Sequence, residues 1–341
     1  IYVNNATFQL DNTGTNVLQR TTSNTPASAR ALNLAAGTLD FLVNGTVASA
    51  ETFGALTSSW GGNRVRVTTT GQNSTLTFAS LASNGGSILL FESLGTGANF
   101  GTAANNAILT TALGLTSGIF PRVLVSDGNG INFATHGGNG TSLAAYTAYN
   151  ASGAYTNINT AAAADNVKVG TGFVTTTALT GSRTINSLYL NGGGVSVTAP
   201  ANSILTLTSG GIIANNGTST LGSSGMVVAF AGVEGGISVA SGSTLNVDAM
   251  LTSAANVTKG LDGTLQFNTR QRFNTGAAYF TVNGGTVILN GGSSTLFPGV
   301  QGGTFGQGLA VGPGATLDLN GNSQMVGRLR GTNNSGIPGA G

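Results

Sequence analysis

The sequence is short of charged side chains and contains no cysteine. Only 6% of its residues are charged, 12 basic and 10 acidic, and there is one histidine. Without cysteine the chain has neither a disulfide framework nor a thiolate metal site, and a single histidine excludes a metal site built from several histidines. The basic residues do not cluster densely, which argues against nucleic-acid binding.

Long apolar runs and helix-forming residues are also scarce. The longest apolar runs, such as residues 88–91, have the length of a strand and fall far short of the roughly 18 residues of a membrane helix. We therefore expect no transmembrane segment. The chain is instead rich in glycine, with 55 residues, and in Ala, Ser, Thr, Asn, Val, Leu and Ile. Gly, Asn, Ser and Thr are typical of turns and strand edges, and the β-branched residues favour strands. Lys, Glu and Gln, which favour helices, are few, so the composition predicts an all-β fold.

A short phrase recurs along the chain, in which small turn residues precede Thr or Ser and then alternating apolar residues. Its copies are residues 37–41, 74–78, 194–197, 203–207, 236–239, 243–247, 263–267, 285–289 and 315–319. Alternation with a period of two is typical of strands with one buried face. The phrases therefore mark strands of a repeating β structure.

The spacing of the copies predicts how these strands stack. Leu245, Leu265 and Val287 hold the same place in three copies, which gives a repeat of about 20 residues. Strands at intervals of 8–12 residues also occur in sandwiches and barrels. The longer repeat favours a right-handed parallel β-helix, a β-solenoid in which each coil holds two or three short strands. Each strand then pairs with its equivalent one coil later, and the chain length predicts about 15 coils.

The repeat is not equally regular throughout. Residues 1–185 read as a less regular solenoid, with a loop excursion near residues 137–166 that is rich in Gly, Ala, Thr and Asn. Residues 186–341 read as a regular solenoid that contains the densest repeat, at residues 256–289. The first residues of the chain lack the basic start of a signal peptide, and the chain reads as a mature fragment of a longer protein.

Residues 256–267, with the letters NVTKGLDGTLQF, resemble the opening of an autotransporter-associated β-strand repeat. Residues 273–276 (FNTG) and 281–289 (TVNGGTVIL) resemble its second half, with one residue added in the first of these phrases. Residues 314–324 and 184–193 are similar to other phrases of large bacterial surface proteins that carry this repeat. The resemblance implies a right-handed parallel β-helix exported to the cell surface and implies no particular activity.

Carboxylates, which β-helical polysaccharide enzymes usually gather on neighbouring coils, are few and scattered here. No two lie within ten residues of each other: Asp11, Asp40, Glu51, Glu92, Asp127, Asp165, Glu234, Asp248, Asp262 and Asp318. Glu234, Asp248 and Asp262 recur at equal intervals, but the interval is shorter than the coil that the repeat predicts. We therefore expect these three acids not to stack into a glycosidase-type pair.

Two further sequence features are weak candidates for chemistry. The stretch Asp127-Gly128-Asn129-Gly130 resembles part of a calcium loop, but it lacks the further ligands of an EF-hand and is better explained as a tight turn. His136 lies in a glycine-rich stretch, and no Gly-x-Ser-x-Gly elbow occurs in the chain. We predict no catalytic, cofactor-binding or metal-binding residue, no cofactor and no enzymatic activity.

The predicted function is structural: a fibre, stalk or surface-layer segment, extracellular or on a bacterial cell surface. Its partners would be copies of itself, joined end to end or laterally, or the continuation of a longer chain. An adhesin is the alternative, because Trp60, Tyr146, Tyr149 and Tyr155 could stack on glycans. A β-helical carbohydrate-active enzyme is the third and least favoured hypothesis, since its acids would have to converge on one groove.

Overall fold

A computed structural model of the chain describes residues 1–14, 21, 25–26, 28–111, 114–137, 141–150, 156–170, 172–175, 177–273, 279–298 and 308–331. The fold is a parallel β-solenoid of about 10 turns, with 56% of the residues in strands and 1% in helix. The predicted all-β solenoid is thereby confirmed. The chain divides into two compact units, Ile1–Thr147 and Ala148–Gly341. The division predicted near residue 185 concerns the regularity of the repeat and stays a prediction.

Coils of the first unit contribute two strands each. The strands are β1 (Tyr2–Asn4), β2 (Thr7–Asp11), β3 (Leu32–Ala35), β4 (Thr38–Leu42), β5 (Ser49–Ser58), β6 (Gly61–Thr69), β7 (Ser74–Ser83), β8 (Ser87–Gly95), β9 (Asn106–Leu109), β10 (Phe120–Asp127), β11 (Gly130–His136) and β12 (Leu143–Ala145). Strands β1, β3, β5, β7 and β9 form one sheet, and β2, β4, β6, β8, β10, β11 and β12 form the other. Leu39, Val65 and Phe91 are in register on three successive coils. Their spacing in the sequence exceeds that of the repeat in the second half of the chain. The coils of this unit are therefore longer than expected, and the predicted number of coils was too high.

The first unit ends in antiparallel strands instead of a further coil. Strand β10 forms a hairpin with β11, and β11 pairs antiparallel with β12. Just before β12, Ser142 forms an antiparallel bridge with Ile108 in β9, and the Leu109 N–H donates to the Thr141 carbonyl at 2.9 Å. Residues 141–145 thus cover β9 in one sheet and β11 in the other. Such a closure protects strand edges that would otherwise be open to pairing.

Coils of the second unit contribute three strands each, besides a short 3-10 helix at Ile158–Thr160. The strands are β13 (Asn166–Val169), β14 (Arg183–Asn191), β15 (Ser196–Val197), β16 (Ile204–Asn215), β17 (Thr218–Leu221), β18 (Val227–Phe230), β19 (Gly235–Val239), β20 (Thr244–Val247), β21 (Met250–Ser253), β22 (Val257–Gly260), β23 (Thr264–Phe267), β24 (Gln271–Phe273), β25 (Tyr279–Val282), β26 (Thr286–Leu289), β27 (Leu296–Pro298), β28 (Gly308–Val311), β29 (Thr316–Asp318) and β30 (Arg328–Gly331).

Three parallel stacks run through these coils and are named sheets a, b and c. Sheet a holds the first parts of β14 and β16 with β18, β21, β24 and β27. Sheet b holds β13, the second parts of β14 and β16, β19, β22, β25, β28 and β30. Sheet c holds β15, β17, β20, β23, β26 and β29. Strand β16 turns from sheet a into sheet b at Gly210, where φ is +74° and an added Cβ would clash with the Glu234 carbonyl oxygen. Only glycine meets both requirements easily.

The core of the second unit consists of inward side chains stacked coil on coil. In sheet c, Leu245 is in register with Leu265, and Leu265 is in register with Val287. All three side chains are buried. Each of the two sequence intervals between these residues therefore spans one coil, as predicted. One coil cannot bury its apolar face alone, so the stability of this core accumulates from one coil to the next.

The outward face of sheet c is polar and nearly uncharged. Five threonines occupy one column, in register from each coil to the next: Thr218, Thr244, Thr264, Thr286 and Thr316. At the end of the same strands, side-chain amides form a second column. Asn268 donates to Asp248, Asn290 donates to Asn268, and Asn320 donates to Asn290, over 2.7–2.9 Å. Side-chain hydrogen bonds thus link four successive coils in addition to the backbone ladder.

The second unit is closed where its first coil begins. The side chain of Asn150 accepts from the Lys168 N–H at 3.0 Å, and its amide donates to the Lys168 carbonyl. Asn150 therefore covers part of the free edge of β13, much as a further strand would. Ile158 and Ala161, in and after the short helix, are buried in the core. This closure lies within the excursion predicted near residues 137–166, of which residues 138–140 and 151–155 lie outside the described residues.

Candidate functional site

The three acids that recur at equal intervals lie at three different corners of the second unit. Glu234 precedes β19, Asp248 follows β20, and Asp262 lies between β22 and β23. Glu234 accepts a hydrogen bond from the Thr258 hydroxyl, and Asp248 accepts one from the Asn268 amide, both at 2.7 Å. The acids therefore do not converge on one groove, and two of them are occupied in structural hydrogen bonds.

Two acids of the first unit, Glu51 and Glu92, are likewise occupied by partners that are distant in the sequence. Glu92 pairs with the Arg66 guanidinium at 3.1 Å. Glu51 is fully buried and accepts from the Asn12 side-chain amide at 2.8 Å and from the Thr21 N–H at 2.7 Å. Among the described residues, no group of three or more His, Asp or Glu side chains could hold a metal ion.

The Asp127–Gly130 stretch is the turn between β10 and β11. One Asp127 carboxylate oxygen accepts from the Asn129 N–H at 2.9 Å, and the other accepts from the Phe100 N–H at 3.0 Å. The predicted tight turn is confirmed, and it joins two antiparallel strands. His136, at the end of β11, packs edge to face on Phe120, with ring centroids 5.2 Å apart. Its ring is thus part of the packing in this hairpin.

The aromatic residues that suggested glycan stacking are placed differently from one another. Tyr149 is buried and packs edge to face against Tyr189, with ring centroids 5.6 Å apart. Tyr146 and Trp60 are half-buried, and Tyr155 lies outside the described residues. The ring of Tyr149 is therefore not a free surface on which a sugar could stack.

Lys168 and its aromatic neighbours form a cluster that the sequence analysis missed. The Lys168 Nζ atom lies 4.3 Å from the ring centroid of Tyr189, 4.5 Å from that of Phe173 and 5.2 Å from that of Tyr149. These rings attract the ammonium through their negative faces. Partial burial lowers the pKa of Lys168. The cluster joins β13, β14 and the segments before and after β13, so it stabilises the start of the second unit.

A second lysine, Lys259, points into the core. It stands in the inward column of sheet b between Ile237 and Val282, with which it is in register, and it is fully buried. Its Nζ donates to the carbonyl oxygens of Leu261 at 2.6 Å, Gly263 at 2.7 Å and Gly284 at 2.5 Å. Gly284 belongs to the next coil, so the amine ties two coils together at the corner between sheets b and c.

Two opposing effects determine the charge of the buried Lys259 amine. The three carbonyl oxygens match the three N–H groups of an ammonium and limit the cost of burying it. Burial nonetheless lowers the pKa of Lys259 to about 7, while the negative charge of Asp262 acts in the opposite direction. Lys259 lies in the phrase that resembles the autotransporter-associated repeat, but its residue type gave no sign that it points inward.

The last described coil of the second unit carries three exposed apolar side chains. Leu329 in β30 is in register with Leu309 in β28, and the two strands are parallel. Leu309 is 4% exposed, whereas Leu329 is 72% exposed. Met325 and Leu319 in the same coil are 62% and 41% exposed.

In the described part of the chain, no helical segment has the length and hydropathy of a membrane span. Comparison of the chain with protein-family models, with curated proteins and with solved structures finds no match. The resemblance of residues 256–289 to the autotransporter-associated repeat therefore stays a prediction.

Proposed function

We propose that this chain is a structural surface element, a fibre, stalk or surface-layer segment that works outside a bacterial cell. The observation that carries the proposal is the unbroken register of Thr218, Thr244, Thr264, Thr286 and Thr316. Each step in this register is a parallel backbone ladder between neighbouring coils. Force applied along the stack is therefore shared by many hydrogen bonds at once.

Two other features support a structural role. The Asp248–Asn268–Asn290–Asn320 ladder adds side-chain hydrogen bonds between coils. These polar side chains therefore stabilise the stacking of the coils, as we expect in a structural protein. Glu234, Asp248 and Glu92 do not converge on one site and are occupied by structural partners, which is not the arrangement that acid-base catalysis requires. Glycan binding by an adhesin stays a second hypothesis, with the half-buried Tyr146 and Trp60 as its aromatic candidates.

Single-molecule pulling tests the structural proposal. Because the chain lacks cysteine, one cysteine introduced near each end of the second unit gives unique attachment points. We expect resistance to force and repeated extension steps of about 70–90 Å, the length of one extended coil of roughly 20–25 residues. Extension without measurable resistance would contradict the proposal.

A matched pair of variants assigns the resistance to the backbone ladder. The Thr264 N–H donates to the Ser243 carbonyl at 2.9 Å, and Thr264→Pro removes this donor. Thr264→Val keeps the donor and changes only the outward side chain. We expect a lower unfolding force for the proline variant and an unchanged force for the valine variant.

A further inference from the structure

Lys168 and Lys259, the two lysines of the chain, are held in opposite ways. Lys259 is fully buried, and its Nζ atom donates hydrogen bonds to three backbone carbonyl oxygens. Lys168 is half-buried, and in the described part of the chain its Nζ atom forms neither a hydrogen bond nor an ion pair. The rings of Tyr149, Phe173 and Tyr189 surround its ammonium, with centroids 4.3–5.2 Å away. We name these three rings the aromatic cage.

The aromatic cage suits a methylated ammonium as well as a bare one. The faces of the rings attract the positive charge and need no N–H group. N-methylation keeps the charge of a lysine, and at Lys168 it removes no hydrogen bond to a described residue. The added methyl groups also gain dispersion contacts with the ring carbons. At Lys259 the same change would leave buried carbonyl oxygens without a donor.

We propose that Lys168 is a site of N-methylation and that the aromatic cage holds the methylated ammonium. The methyl donor is of the sulfonium class that methyltransferases use. The lone pair of the neutral Lys168 amine attacks the methyl carbon of the donor, the carbon–sulfur bond breaks, and its electron pair stays on the sulfur. The product is a charged N-methyllysine, and the donor becomes a neutral thioether. Loss of a proton to water prepares the amine for a further methyl group.

The position of Lys168 makes its amine both accessible and reactive. Val167 and Val169 on either side of it belong to the core, so Lys168 lies on the outward face of β13, where its half-buried side chain can be reached by an enzyme. Partial burial lowers the pKa of Lys168. The neutral, nucleophilic form is therefore more abundant than in an ordinary surface lysine.

Mass spectrometry of the chain purified from the cells that produce it tests the proposal first. We expect the peptide that contains Lys168 to carry the mass of added methyl groups, and the peptide that contains Lys259 to be unmodified. An unmethylated Lys168 in this material would overturn the proposal. The test does not involve the proposed structural function, because the stacking of the coils does not use the Lys168 amine.

Chemical methylation of the recombinant full chain tests the role of the aromatic cage. Formaldehyde condenses with the amine, water leaves, and an amine–borane reduces the imine with hydride. In the folded chain we expect dimethylation at Lys168 and none at Lys259. Because methylation strengthens the contact with the aromatic cage, the equilibrium constant of unfolding should fall about two- to fivefold, as measured with urea. An unchanged or higher constant would overturn the proposal.

Two variants control for other effects of the reagents. Lys168→Arg lacks the amine but keeps a cation beside the rings, so treatment should leave its stability unchanged although its N-terminal amine reacts. Phe173→Leu removes one ring of the aromatic cage at a half-buried position, and methylation should then lower the unfolding constant less than in the wild type. An equal decrease in the Phe173→Leu chain would show that the aromatic cage does not hold the methylated ammonium.

Discussion

Phe267→Ala is expected to lower the free energy of unfolding of the chain by about 3–5 kcal/mol. Phe267 is fully buried and packs against Phe280 and Phe273, with ring centroids 5.6 Å and 6.3 Å away. The phenyl ring spans the core between sheet c and the strands of sheets b and a in neighbouring coils. Its removal loses the transfer free energy of the ring and leaves a cavity that rigid coils cannot fill. Urea unfolding followed by circular dichroism measures the loss.

Ile288→Ala is the control for this substitution. Ile288 lies one residue from the inward column, on the outward face of sheet c, and is half-buried. The change removes a similar kind of apolar surface without opening a cavity in the core. We expect a loss below about 1 kcal/mol. Equal losses for the two variants would mean that the assignment of inward and outward faces in sheet c is wrong.

At about pH 10, where the native amine is neutral and no charge is buried, Lys259→Met is expected to lower the free energy of unfolding by about 3 kcal/mol. Methionine fills most of the volume of lysine, but it donates no hydrogen bond to the carbonyl oxygens of Leu261, Gly263 and Gly284. Buried acceptors that lose their donor keep the cost of desolvation. The loss should again be measured by urea unfolding. An unchanged or higher stability would mean that the apolar column of sheet b matters more than these three hydrogen bonds.

The same lysine makes stability depend on pH. Burial lowers the pKa of Lys259 from 10.5 to about 7. Between these two values the unfolded chain holds a proton that the native chain has released, so the free energy of unfolding rises with pH across this window. Below about 7 both states are protonated, and the lysine contributes no further change. Urea midpoints measured between about pH 6 and pH 10 should rise for the wild type, and Lys259→Met should lack this contribution.

Much of the fold can be predicted from the sequence of the repeat. Leu245, Leu265 and Val287 are found in register because apolar alternation fixes which face is buried, and the interval between the copies fixes the length of a coil. The failure of Glu234, Asp248 and Asp262 to stack also follows from that interval. At these positions the prediction agrees with the structure because the interval between the copies of the repeat equals the length of one coil.

Other features have no periodic signal in the sequence. The antiparallel closure by β11 and β12 depends on a hairpin that reverses the chain, and neither strand differs in residue type from those in a coil. Lys259 occupies an inward position that alternation would reserve for an apolar residue. Its burial depends on corner carbonyls, one of which lies in the next coil. Tyr149 is buried by Tyr189, which is distant along the chain, and no local pattern predicts such a contact.

Disulfide cross-linking along the threonine column tests the central claim most directly. Thr264 and Thr286 face outward on neighbouring coils in register, so cysteines at both positions would have Cα atoms roughly 5 Å apart, within the range of a disulfide. Thr264 and Thr316 are in the same column two coils apart, at roughly 10 Å, which is too far. We predict an intramolecular disulfide in the 264/286 pair and none in the 264/316 pair. A disulfide in the second pair but not in the first would contradict the stacking of coils on which the proposed function rests.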